Sequence, residues 1–174
     1  MLTAIAGRTD RVRLGTTVTA LPRRRPAKLA REVLTLDHLS AGRATVAEKV
    51  ALRPPPVQSP RVPVWVGGST QAGAVRRRAA RADGIVPYKL TDTDGWADFT
   101  PDEVRDLVAA MPPTRADGQP FDVAIGGRRR RPDERAERAY LRELAAAGAT
   151  WWLEYVPVGD PAAMRAAVAR GPLR

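Results

Sequence analysis

Small and basic residues follow three strand-like runs of this chain, at the points where helices are expected to begin. Arginines follow the run 11–21, glycine and serine follow the run that ends at Val66, and glycines with arginines follow the run 121–125. The three groups are Arg23, Arg24 and Arg25; Gly67, Gly68, Ser69 and Thr70; and Gly126, Gly127 and Arg128 to Arg131. Parallel strands bring such groups to one edge of a sheet.

These residue types suit an anion site. Glycine lets the backbone approach a ligand closely, and a helix N-terminus offers free N–H groups. Arginine adds bidentate contacts to phosphate. The pattern predicts a site for an anion such as the phosphate of a cofactor, with Arg128 among its ligands. The alternative is that the glycines only form turns and the arginines lie in solvated loops.

Two further side chains could carry chemistry. Glu154 lies in the mostly apolar run "WWLEYV", where a carboxylate needs a partner such as an arginine. An ion pair is favoured there over a catalytic acid. His38 lies late in a predicted helix, so a capping or interface role is favoured over acid–base catalysis.

The composition excludes several kinds of site. The 174 residues include no cysteine and one histidine, so thiolate chemistry is excluded and no metal site is predicted. The net charge of +10 permits a polyanion partner. The chain has no nucleic-acid motif and no interleaved aromatic residues, so nucleic acid is not predicted as a ligand. No apolar run approaches the ~20 residues of a membrane helix, and we expect a cytoplasmic protein.

Strand-like and helix-like runs alternate along the whole chain. Six apolar runs read as strands, and between them lie helical patterns such as "TPDEVRDLVAAM", in which Thr100 and Glu103 form a predicted capping box. Such alternation indicates parallel strands joined by right-handed crossovers. The fold class is therefore α/β and the chain is a single domain, 1–174. The pattern leaves open whether the sheet is open or a barrel.

Three blocks of the sequence resemble the luciferase-like monooxygenase superfamily, a group of flavin- and deazaflavin-dependent oxidoreductases. The blocks are "RVRLGTTVTALPRRRPAKLAREVLTLDHLSAGR", "PVQSPRVPVWVGGSTQAGAVRRRAARADGIVP" and "GATWWLE". The resemblance implies a TIM-barrel-like (β/α) fold, here incomplete, with about six parallel strands. It also implies FMN or the deazaflavin coenzyme F420 as cofactor, with Thr16, Thr17, Gly67, Gly68 and Ser69 carried over as cofactor-binding residues.

The chain departs from the family pattern at two places. The first two barrel strands have no counterpart, and the chain starts within the helix that precedes the third. After "LSAGRATVA" the glycine-rich flavin loop, the long insertion and a barrel helix are replaced by "EKVALRPPP". The resemblance therefore implies an oxidoreductase whose reduced site binds flavin weakly or not at all. The alternatives are a non-catalytic binding protein and an enzyme whose site is completed by a second chain.

The missing strands would leave sheet edges unpaired. Unpaired edges favour association. We therefore expect the chain either to self-associate through these edges or to close a small irregular barrel.

Overall fold

The computed structural model describes most of the chain, in ranges separated by short gaps. These ranges are 2–16, 25–45, 57–59, 62–69, 79–89, 97–113, 115, 118–156 and 159–173. The helices are α1 (Leu2–Ala6), α2 (Pro26–Leu39), α3 (Pro101–Ala109), α4 (Glu134–Ala146) and α5 (Pro161–Ala169). The strands are β1 (Leu14–Gly15), β2 (Ala44–Thr45), β3 (Trp65–Ser69), β4 (Gly84–Tyr88), β5 (Asp122–Arg128) and β6 (Trp151–Glu154).

The described strands form two parallel sheets. One has two strands, β1 and β2, and the other has four in the order β3-β4-β5-β6. Every described strand pair is parallel, so the predicted α/β class is confirmed. The ladders give a partial α/β fold and do not join the two sheets into a barrel. The helix predicted over 70–82 and the shortened crossover after Ala47 fall largely outside the described residues.

The two faces of the four-stranded sheet differ in what covers them. Ile85, Val123 and Ile125 point to one face and pack with residues of α3 and α4. We call this the helix face. Trp65, Asp122 and Trp151 point to the opposite face, which we call the tryptophan face. The division follows from the register, because paired residues of neighbouring parallel strands share a face.

The helix face carries the main hydrophobic core. Its buried members come from β4, β5, α3, α4 and the segments that flank these elements: Ala79, Ile85, Phe99, Val104, Leu107, Met111, Phe121, Val123, Ile125, Leu144 and Ala147. Alternation along the strands and helical spacing in α3 and α4 place these side chains together. This core positions the carboxyl ends of β3 to β6, which we call the candidate edge.

A second, smaller core lies under α1 and α2. It contains Ala6, Leu14, Leu36, Ala44 and Val62. Val62 ties this core to the chain that enters β3. Arg43 fastens the same unit, because its guanidinium donates to the carbonyls of Ala6 and Val12 at 3.1 and 2.7 Å. The bond to Ala6 satisfies a carbonyl at the end of α1 that the helix itself leaves unpaired, and the bond to Val12 holds the chain just before β1.

Polar side chains cap the N-termini of α3, α4 and α5. The Thr100–Glu103 capping box is present: Glu103 N donates to Thr100 Oγ1 at 3.3 Å, and Thr100 N donates to Glu103 Oε2 at 2.8 Å. Asp133 and Asp160 cap α4 and α5. At the end of α2 the chain turns through Ala41 and Gly42, whose φ values are 51° and 82°. Gly42 N donates to Asp37 O there, as in a Schellman motif.

Candidate functional site

The glycine and serine group of the second block lies inside a strand. Gly67, Gly68 and Ser69 form the last residues of β3 and pair with Val86, Pro87 and Tyr88. The sequence placed this group where the strand gives way to a helix, and the structure keeps all three residues in the strand. The helix expected to begin at Thr70 lies outside the described residues. As cofactor ligands, Gly67, Gly68 and Ser69 stay a prediction.

The threonines and arginines of the first block are only partly described. Thr16 directly follows β1 and is exposed. Arg25 is the N-cap of α2 and makes no side-chain cap. Thr17, Arg23 and Arg24 lie outside the described residues. The structure therefore leaves the role predicted for Thr16 and Thr17 open.

A β-bulge decides where the arginines of the third block point. The register between β5 and β6 shifts between Gly126 and Arg128, so that Gly126 pairs with Leu153 and Arg128 with Glu154. Gly126 and Gly127 have φ values of 124° and 107°, which glycine adopts at little cost. Without the bulge, alternation would place Arg128 on the tryptophan face beside Gly126. With it, Arg128 lies on the helix face.

Arg128 is held there by two carboxylates. Its Nη1 and Nη2 donate to Oε1 and Oε2 of Glu137 at 2.8 and 2.9 Å. Its Nε donates to Asp98 Oδ1 at 2.8 Å. Burial alone would lower the pKa of Arg128, but the hydrogen bonds with Glu137 and Asp98 outweigh burial and raise it. Glu137 is fully buried, so this pair is an internal one.

Aromatic rings enclose the same guanidinium. The Arg128 Cζ atom lies 5.0 Å from the centre of a Trp152 ring and 5.5 Å from that of Tyr140. The Tyr140 hydroxyl donates to the carbonyl of Phe99 at 2.8 Å. Burial, together with the charge of Asp98, raises the pKa of Tyr140 to about 12. Arg128 therefore packs between rings of the helix face as well as between carboxylates.

The next arginines along the chain are also paired. Arg130 Nη2 donates to Glu154 Oε2 at 2.8 Å, and its side chain is only 5% exposed. Arg131 donates to Asp98 at 2.5 Å. This contact confirms the prediction that Glu154 forms an ion pair with an arginine. Arg129 is exposed.

One ion pair at this edge was not anticipated. Lys89, just beyond β4, donates to both carboxylate oxygens of Glu103, at 2.8 and 2.7 Å. The hydrogen bond from Lys89 and the backbone bond from Thr100 lower the pKa of Glu103. The ladder between β4 and β5 ends at Ile85 and Val123, two residues before Pro87, whose nitrogen cannot donate. Lys89 then joins β4 to α3.

The opposite end of the sheet holds another cluster that the sequence patterns did not reveal. The cluster consists of the first residues of the four strands: Trp65 of β3, Gly84 of β4, Asp122 of β5 and Trp151 of β6. Asp122 accepts from the indole nitrogens of Trp65 and Trp151, both at 3.0 Å. The indole rings lie 5.4 Å apart, edge to face. A Cβ on Gly84 would lie 2.6 Å from both Asp122 and Trp65, so this cluster requires glycine there. The one available signal was an aspartate in an apolar strand.

Asp37, next to His38 in the sequence, is buried, which the sequence analysis did not predict. Asp37 accepts from the backbone of Val57 at 2.7 Å and from the Gln58 side chain at 2.8 Å. It therefore fastens the chain after the proline-rich run to α2. His38 itself is exposed in the last turn of that helix, which places it on the smaller unit and outside the main core. Among the described residues no group of histidine and carboxylate side chains could hold a metal ion.

The described residues do not fit a flavin phosphate at the third block. Arg128, Arg130 and Arg131 already meet carboxylates, and Arg128 lies on the helix face. A phosphate there would have to displace Glu137 from a buried pair, leaving that carboxylate without its partner. The bulge turns Arg128 away from the tryptophan face, and as a cofactor ligand Arg128 stays a prediction.

Comparison with known proteins identifies a family over the start of the chain. Residues 1–47 match the sequence profile of the luciferase-like monooxygenases. The match covers α1, β1, α2 and β2, which form the smaller core. No curated protein matches the chain. None of the described helices is long and apolar enough to cross a membrane. The match supports the resemblance over the first of its three blocks.

Proposed function

We propose that this chain, a luciferase-like monooxygenase family member by its residues 1–47, is an oxidoreductase-type (β/α) domain whose own site holds FMN or a deazaflavin weakly or not at all. The observation that carries the proposal is the placement of Arg128. It pairs with Glu137 and Asp98 on the helix face, away from a phosphate bound on the tryptophan face. We take the chain as one domain, 1–174.

The tryptophan face supports the flavin ancestry of the domain. Toward the candidate edge its residues on β3 and β5 are small, namely Gly67, Ser69 and Gly126, and they alternate with Val86, Tyr88 and Leu153 on β4 and β6. A Cβ on Gly67 would meet only the Val86 carbonyl oxygen, at 3.7 Å. A flat ring could lie against such a surface. Of the arginines following the glycines of β5, Arg128, Arg130 and Arg131 are held by carboxylates, and Arg129 is exposed.

The test is a fluorescence titration of the chain with FMN and, separately, with the deazaflavin coenzyme. We expect no saturable change below about 0.1 mM of either, because ring stacking without a phosphate anchor supplies little affinity. Micromolar binding that disappears in Ser69→Trp, but persists in Arg129→Gln, would contradict the proposal and place a working site on the tryptophan face.

A second candidate function is an enzyme completed by another copy of the chain. The half-exposed residues of β3 and β6, the outer strands of the four-stranded sheet, favour it. Flavin binding that strengthens with protein concentration, together with a dimer by light scattering, would support this candidate. Binding that is absent at every concentration would exclude it and leave a non-catalytic role.

A further inference from the structure

The last helix of the chain packs differently from the others. None of the residues of α5 is buried, and Val168 is 69% exposed. By contrast, α3 buries Val104 and Leu107, and α4 buries Glu137 and Leu144. An isolated helix of nine residues is marginal in water. Only Ala163, Met164 and Ala167 of this helix are partly buried, so apolar burial holds α5 weakly.

The residues before α5 and the residues after it both contact the candidate edge. Just beyond β6, Tyr155 N donates to the carbonyl of Arg128 at 2.7 Å. After α5, the carbonyl of Gly171 accepts from Arg130 Nη2, also at 2.7 Å. A crossover helix in a parallel α/β fold normally carries the chain back to the other end of the sheet. Here the end of α5 returns to the edge from which the chain left.

Arg130 is the fastening point. One nitrogen, Nη2, donates both to Glu154 Oε2 at 2.8 Å and to Gly171 O at 2.7 Å. The Arg130 side chain is 5% exposed, and hydrogen bonds from a charged donor are stronger than neutral ones. The carboxylate of Glu154 orients the arginine, and the arginine holds the carbonyl.

We propose that residues 159–171 form a releasable strap, latched to the candidate edge by the bond between Arg130 and the Gly171 carbonyl. Because α5 buries none of its residues, breaking this latch lets the strap leave while the sheet, α3 and α4 stay folded. The open form presents Arg130 and Glu154 to solvent at the candidate edge. This inference is independent of flavin binding.

Hydrogen exchange of the wild-type chain gives the first test. We expect amides of α5 to exchange through local opening, at rates at least about tenfold above those of α3 and α4. Amides of α5 that exchange as slowly as those of α4, with the same dependence on denaturant, would show that the strap opens only on global unfolding and would overturn the proposal.

Limited trypsin digestion of variants gives the second test, since Arg165 lies within the strap. Arg130→Gln removes the charged donor, and cleavage after Arg165 should accelerate about tenfold. Glu154→Gln keeps the bond to Gly171 and should produce a smaller acceleration, whereas Arg129→Gln should produce none. Equal acceleration at every site in Arg130→Gln, or none after Arg165, would refute a local latch.

Discussion

Arg128 and Glu137 form a two-bond ion pair between β5 and α4, with nitrogen–oxygen distances of 2.8 and 2.9 Å. The Glu137 side chain is 1% exposed. Breaking such a pair from one side strands a buried charge. Replacing Arg128 by Gln should therefore lower the free energy of unfolding by about 3 kcal/mol, measured by urea denaturation.

Two comparisons make this measurement specific. Arg129→Gln, at the exposed neighbouring position, should change the free energy of unfolding by no more than about 0.5 kcal/mol. The double variant Arg128→Gln with Glu137→Gln should recover part of the loss, because neither residue then leaves an unpaired charge. Strictly additive losses would show that the two side chains act separately.

The bulge predicts a difference between its two glycines. A Cβ at position 126 would lie 2.5 Å from the Leu153 carbonyl oxygen, whereas one at position 127 meets nothing within 4 Å. Both have positive φ, so each substitution by alanine carries a backbone cost of about 1 kcal/mol. Gly126→Ala should lose at least about 1 kcal/mol more than Gly127→Ala, because β6 must also move. Equal thermal unfolding midpoints would contradict this geometry.

The indole cluster predicts a fluorescence change. Asp122→Ala leaves the indole N–H groups of Trp65 and Trp151 without their acceptor. We expect a loss of about 3 kcal/mol of stability and a red shift of tryptophan emission as the rings loosen. The exposed Asp106→Ala should change neither. A stable Asp122→Ala variant with unshifted emission would mean that the cluster does not depend on this carboxylate.

Tyr140 predicts alkaline sensitivity. Burial and the charge of Asp98 raise its pKa from 10.0 to about 12, so the folded chain holds this proton more tightly than the unfolded chain does. The resulting stabilisation is complete below pH ~10 and is lost as pH rises toward ~12. Unfolding free energies measured across that range should fall more steeply for the wild type than for Tyr140→Phe. Parallel curves would place the pKa of Tyr140 at its ordinary value.

Local patterns were enough to predict most elements of the fold. The alternating apolar runs identified the six strands, and the Thr100–Glu103 spacing identified the start of α3. Strand ends were less predictable. Gly67 to Ser69 read as a turn because glycine is common in turns, yet pairing with β4 keeps them in the strand.

For the candidate functional residues, the local sequence predicted which side chains need a partner but not the face of the sheet on which each one lies. Glu154 was predicted to need an arginine because a carboxylate in an apolar strand is costly, and composition alone excluded thiolate chemistry. The direction of Arg128 depended on one extra residue in the ladder with β6, and the meeting of Trp65 with Trp151 depended on the order of strands far apart in the chain. Residue types and short-range spacing set the class of fold and the list of candidate groups. Which face each group occupies was decided by register and strand order, because those depend on contacts between distant segments.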